Sequence, residues 1–199
     1  LLVLLAIYAM VKIPYHEAIR LWRGGEDVWY QNPKFAAPAW INYFSAEKYA
    51  ESFAVNTDDR SLRSEFTPGA EGTSTLIASH SFDFNYDTYP QDMILYFTST
   101  YAEKQPFISL EWLTPDGRTV RIANMAVSKE FTYRFAQDER LKTRLKTDDI
   151  IASLFSDPET GSLMKGPYQL LITGTTFEPG STIDAEFVLI AVGFTHPEL

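Results

Sequence analysis

The side chains best suited to acid–base work near neutral pH are the three histidines, His16, His80 and His196, since imidazole titrates there. They fall in a helix-period stretch, an alternating stretch and the tail. None has a second histidine or a carboxylate motif at metal-ligand spacing, so each reads as a solvated or hydrogen-bonded side chain. Glu111 and Asp116 imitate the two-carboxylate pair of a glycosidase, but strand parity puts Glu111 with Ser109 on the face opposite Trp112, where a surface acid is expected. Asp83, Asn85, Asp87 and Asp92 are oxygen-rich enough to raise calcium, which wants several hard oxygens. Their alternation with Phe82, Phe84 and Tyr86 explains them more simply. No Gly-x-Ser-x-Gly elbow and no glycine-rich phosphate loop occurs. The expectation is therefore no catalytic residue, no cofactor and no metal. Four tyrosines, Tyr86, Tyr89, Tyr96 and Tyr101, are the candidates for stacking on a sugar or touching a partner, with ordinary sheet packing as the alternative.

Composition narrows the classes further. The 199 residues carry a formal net charge of −9, and 45% are hydrophobic and 15% aromatic, enough to bury a sizeable core in one domain plus appendages. The chain has no cysteine, which excludes a disulfide scaffold, a thiolate zinc site and a cysteine nucleophile. With 26 acidic against 17 basic side chains, the mean field repels phosphate backbones, and nucleic acid is not an expected partner.

The elements that must position any site are short strands. From Phe53 onward, runs of alternating polarity are separated by turn residues. Phe82, Phe84 and Tyr86 form one such set, and Met93, Leu95 and Phe97 the next, after a turn at Tyr89-Pro90-Gln91. The clearest hairpin joins residues 107–113 to 118–122 through Thr114-Pro115-Asp116-Gly117, because proline presets one turn dihedral and Asp-Gly tolerates positive φ. Phe131, Tyr133 and Phe135 alternate again. Between Asp138 and Phe155 the period lengthens to that of a helix, recapped at Thr147-Asp148-Asp149. Lys165-Gly166-Pro167 leads into a strand, and Glu178-Pro179-Gly180-Ser181 turns the chain into Thr182 to Phe194, a pair that reads as a hairpin. Phe187 to Val192 is apolar without alternation, the pattern of a strand buried on both faces or of the approach to a membrane helix; Gly193 and Pro197 favour the strand. The fold class expected is mainly β: an antiparallel β-sandwich, jelly-roll or Greek-key-like, with one helical insert.

The N-terminus is the local extreme. Leu1 to Val11 is apolar and uncharged, and its length, short of the roughly 20 residues that span a bilayer, suggests a cut transmembrane helix. A buried core helix and a signal-peptide remnant are the rivals. Lys12, Arg20 and Arg23, with Tyr15 and Trp22, follow as at a bilayer–water interface. Membrane anchoring is thus expected of Leu1, Leu2, Val3, Leu4, Leu5, Ile7, Tyr8 and Trp22, with lipid as the partner there. The organisation expected is residues 1–23 as the end of a transmembrane helix and its continuation, 24–52 as an extended Pro/Trp-rich connector, and 53–199 as an extracytoplasmic β-sandwich.

The stretch from Ile13 to Trp22, followed by Trp29, Asn32-Pro33-Lys34 and Ala37 to Phe44, resembles the segment after the first membrane helix in binding-protein-dependent ABC transporter permeases of the dipeptide/oligopeptide type. The resemblance covers about the first 45 residues. It implies an extracytoplasmic insert at the cell membrane, non-catalytic, that docks a solute-binding protein or supports the other transporter subunits during import of peptide-type solutes. The family's coupling loop and the Gly-Thr-Asp and Gly-Arg-Asp pattern have no counterpart here. The Pro-Asp-Gly hairpin and Gly166-Pro167-Tyr168-Gln169-Leu170 are in turn similar to carbohydrate-binding modules, which implies the alternative of a secreted or membrane-anchored carbohydrate-binding module. A small hydrolase is the third reading, and it requires a pocket holding a close acid/base pair.

Overall fold

The computed structural model describes residues 39–191 except residue 59, together with Val3, Tyr8, Tyr15 and Ile19. Those four are helical, and Val3, Tyr8 and Tyr15 are exposed. Leu1, Leu2, Leu4, Leu5, Ile7 and Trp22 lie outside the described residues, as do His16 and His196. Among the described residues no helix is long and apolar enough to cross a membrane.

Residues Ala39–Tyr43 form a 3-10 turn, not the extended connector expected from Pro33 and Pro38. The Asn42 side chain closes it, accepting from Tyr49 N at 2.9 Å and donating to the Tyr49 carbonyl at 3.1 Å. Residues 48–50 already belong to the sandwich. Lys48 and Asp87 exchange backbone and carboxylate hydrogen bonds, Ala50 N donates to Thr88 Oγ1, and Ala50 is buried in the core.

Among the described residues nine strands make two antiparallel sheets. They are β1 Phe53–Asn56, β2 Arg63–Pro68, β3 Ser74–Phe84, β4 Pro90–Thr100, β5 Phe107–Leu113, β6 Thr119–Ala126, β7 Glu130–Arg134, β8 Gly166–Thr176 and β9 Thr182–Ala191. One sheet runs β1-β9-β4-β7 and the other β2-β3-β8-β5-β6, the non-sequential order of a jelly-roll-like sandwich. Alternation decides which face is inside: Met93, Leu95 and Phe97 of β4 and Ile108, Leu110 and Trp112 of β5 are buried, as their spacing predicts. β9 departs from alternation. Phe187 and Leu189 face the core, while Val188 and Ile190 form a second buried cluster with Ile94 and the partly buried Tyr96 on the other face of that sheet. It is the strand buried on both faces.

The core centres on Trp112, Phe84, Phe155 and Tyr168, with ring centroids 4.7–6.1 Å apart in tilted or edge-on pairs. Such pairs add about 0.5–1.5 kcal/mol each beyond burial. Their polar atoms are satisfied: Trp112 Nε1 donates to the Leu154 carbonyl, and the Tyr168 hydroxyl donates to Met164 O at 3.0 Å. Helices α1 (Glu139–Leu145) and α2 (Ile150–Phe155) form the expected insert. Asp138 and Asp149 cap them by accepting first-turn amides, and α2 sends Ile151, Leu154 and Phe155 into the core.

The expected hairpin between residues 168–173 and 182–194 is corrected. β8 pairs with β3 and β5, whereas β9 pairs with β1 and β4, so residues 177–181 arch from one sheet to the other. Glu178 in that arch accepts the backbone amides of Ala102, Glu103 and Lys104 at 2.7–2.9 Å, tying it to the β4–β5 loop. These bonds, that of Ala102 foremost, hold its carboxyl below the ordinary range.

Candidate functional site

Each sheet ends in an edge strand on the same side of the molecule, β6 in one and β7 in the other. Both edges are left open there, and a cavity of about 740 Å³ lies between them. The register explains its shape. Ala123 pairs with Leu110 and Arg121 with Glu111, so Ile122 is an extra residue, and the bulge bends β6. Ile122, Ala123 and Met125, with Phe131 and Tyr133 of β7, make an apolar floor continuous with the core. Arg121, Asn124, Thr132 and Arg134 stand at the alternate positions and make the rim. The segment after β7 adds Gln137, Asp138, Arg140 and Arg144.

Several of these groups are already committed. Asp138 accepts the amides of Arg140 at 2.9 Å and Leu141 at 3.0 Å as the cap of α1, and accepts the Tyr133 hydroxyl at 2.5 Å. Burial first, and the Asp138 carboxylate second, push the Tyr133 phenol far up, so it stays a neutral donor. Arg144 donates through Nη2 to the carbonyls of Arg121 and Ile122, the latter at 2.7 Å, which fastens α1 onto β6. Arg134 lies 3.7 Å from Asp92, whose carboxylate accepts Met93 N at 2.8 Å and Ala136 N at 3.3 Å. Burial raises the Asp92 carboxyl despite those bonds.

The residues singled out from sequence lie elsewhere. Tyr86 is half-buried, edge-on to Phe84 at 5.2 Å; Tyr89 shares a 2.8 Å hydrogen bond with Ser156; Tyr96 packs on Ile94, Val188 and Ile190; and Tyr101 accepts from Gln105 in the loop after β4. None of the four is among the exposed residues. His80 sits among Phe53, Phe82 and Phe187, with centroids 5.4–6.5 Å away, and burial lowers its pKa against a hydrogen bond to the Ser61 backbone. Asp116 is a turn residue. It accepts from the Thr114 hydroxyl and, at 2.5 Å, from Arg118 Nε, and these bonds hold its carboxyl down to about 2. Glu111 stands on the outer face of its sheet opposite Arg121. Of the four oxygen-bearing residues weighed for calcium, Asp87 pairs with Lys165 and Lys48 N, and Asp92 is spent as above. Among the described residues no three His, Asp or Glu side chains are grouped to hold a metal.

The cleft residues are therefore ones that sequence reasoning missed. Their one available signal was Arg134, Arg140 and Arg144 standing close together in an acid-rich chain, after the alternating Phe131 and Tyr133.

No protein-family model and no curated protein sequence matches the chain. Among solved structures, TmCBM61, in complex with β-1,4-galactotriose, is similar at 9% identity and a TM-score of 0.31, covering 78% of this chain and 97% of that one. A structure of carbohydrate-binding modules from the β-sandwich superfamily is similar at 13% identity and a TM-score of 0.33, covering 81% and 62%. Infectious bursal disease virus, Gx strain, is similar at 10% identity and a TM-score of 0.36, covering 71% and 34%. Superpositions this loose carry no argument about family or ligand.

Proposed function

We propose that this domain is a non-catalytic carbohydrate-binding β-sandwich module, with an oligosaccharide seated in the cleft between β6 and β7. One observation carries the reading: an aromatic and aliphatic floor, with Phe131 beside Ile122 and Met125, lies beneath a rim of planar amide and guanidinium groups. A sugar presents the matching surface. Its C–H patches lie on apolar and ring surfaces, and its neighbouring hydroxyls take paired hydrogen bonds from planar side chains such as Asn124 and Gln137. A wholly apolar ligand would strip water from that rim and leave its donors unmatched. The cavity falls within the roughly 300–1,000 Å³ usual for small-molecule sites.

Hydrolysis would ask more of the cleft. A glycosidase mechanism needs two carboxyl groups flanking one bond, and the lining holds Asp138 alone, spent on α1 and Tyr133. The permease resemblance over residues 13–44 supplies the setting that we attach to this reading, the extracytoplasmic side of a cell membrane.

The test is a glycan array probed with the purified chain and with Asn124→Ala and Gln137→Ala. Both side chains are exposed, so thermal unfolding should not change. We expect binding to a subset of glycans, weakened roughly tenfold in each variant by loss of an aimed hydrogen bond. Silence across the array, or undiminished binding by both variants, contradicts the proposal.

A further inference from the structure

Four arginines and no lysine line the cleft, in a chain whose acidic residues outnumber its basic ones by 26 to 17. Elsewhere among the described residues three ion pairs join cations to carboxylates: Arg118 with Asp116, Lys142 with Glu139 and Lys165 with Asp87. The Arg121 and Arg140 side chains make no hydrogen bond or ion pair among the described residues, although Glu111 is the cross-strand neighbour of Arg121. Arg144 is held by two backbone carbonyls, which neutralise none of its charge. Arg134 has only the 3.7 Å approach to Asp92. The one carboxylate in the lining, Asp138, is turned to amides and a phenol.

Like charges gathered around a concave, low-dielectric wall repel one another and focus a positive field into the opening. An anion relieves that repulsion. Guanidinium groups also offer forked donors that fit a carboxylate or sulfate two bonds at a time, which a lysine ammonium does not.

We propose that the cleft is selective for acidic oligosaccharides, sugars bearing a carboxylate or sulfate, with Arg121 and Arg140 as the groups that grip the anion. This rests on the carbohydrate-binding reading above. The rim's amides and the apolar floor hold the sugar ring, and the two uncommitted guanidinium groups choose the charged sugar over its neutral counterpart.

The experiment is calorimetric titration of the purified chain with trigalacturonate, with its methyl ester, with a sulfated trisaccharide, and with acetate and sulfate ions alone. Arg121→Gln/Arg140→Gln is measured beside it. Both residues are exposed and outside the core, and the thermal midpoint checks that the variant is folded. The expected result is at least one acidic trisaccharide binding about tenfold or more tighter than the ester, a preference that falls with added salt and disappears in the double variant. Which of the two acidic sugars is tighter names the anion. Equal binding of acid and ester overturns this inference and leaves the carbohydrate reading standing. Free acetate or sulfate binding as tightly as the sugars overturns it too, since the site then reads an ion and no ring. No binding by any of these sugars overturns this inference, and the glycan array decides the carbohydrate reading separately.

Discussion

Asp138 serves two elements at once, capping α1 through the amides of Arg140 and Leu141 and fixing the Tyr133 hydroxyl of β7. That double use, and not a sequence motif, sets the wall of the cleft. His80 shows what a lone titratable group does inside a packed face. Its imidazole lies among Phe53, Phe82 and Phe187, and burial depresses its pKa below the ordinary value of 6.5. Between the folded and unfolded values the unfolded chain binds more protons, so the stability from a neutral His80 is present above about pH 6.5 and is lost as the pH falls below it. Chemical denaturation at pH 7.5 and pH 5 should show that loss, and His80→Phe, which keeps the ring contacts, should show less of it. An identical pH dependence in both proteins would contradict the assignment. The sequence reading leaves His80 as a solvated or hydrogen-bonded side chain of a strand, and the structure has it partly buried with a hydrogen bond to the Ser61 backbone. Its aromatic surroundings were not legible, because Phe53 and Phe187 arrive from strands far away in the chain.

Elements were legible where a local signal exists. The Pro115-Asp116-Gly117 turn fixed the β5–β6 hairpin, with Gly117 at φ 83°, and Asp138 and Asp149 marked both helix starts. β2 gave no signal because all six of its residues are exposed, so no face alternates. Pro179-Gly180 announced a turn after β8 but carried nothing about which sheet the chain would enter next. The arch is held by long-range packing: Gly72, at φ 79°, sits so close to Pro179 that an added Cβ would lie 2.6 Å from its ring. Gly72→Ala therefore meets both an unfavourable backbone region and a rigid neighbour. It should cost about 2 kcal/mol or more, read as a lower denaturation midpoint at an unchanged slope. A midpoint within error of the wild type would show that the loop before β3 does not buttress the arch.

For the whole molecule, the sandwich class, the two-faced β9 and the helical insert follow from periodicity, which any half-buried sheet must display. The cleft does not, because it is built where β6, β7 and α1 converge and each contributes side chains unremarkable in its own segment. Field and shape appear only after assembly: a chain of net charge −9 that brings four arginines into the lining of one opening between its sheet edges. The membrane-anchoring expectation for Leu1 to Trp22 is a claim separate from the proposal made for the cleft. The measurement nearest the central claim is an amide chemical-shift titration of the 15N-labelled chain with trigalacturonate. Saturable shifts confined to Arg121–Met125, Phe131–Arg134 and Gln137–Arg144 are the predicted result. Shifts that instead centre on Tyr86, Tyr89, Tyr96 or Tyr101, or an unperturbed β6–β7 edge at saturation, would contradict it.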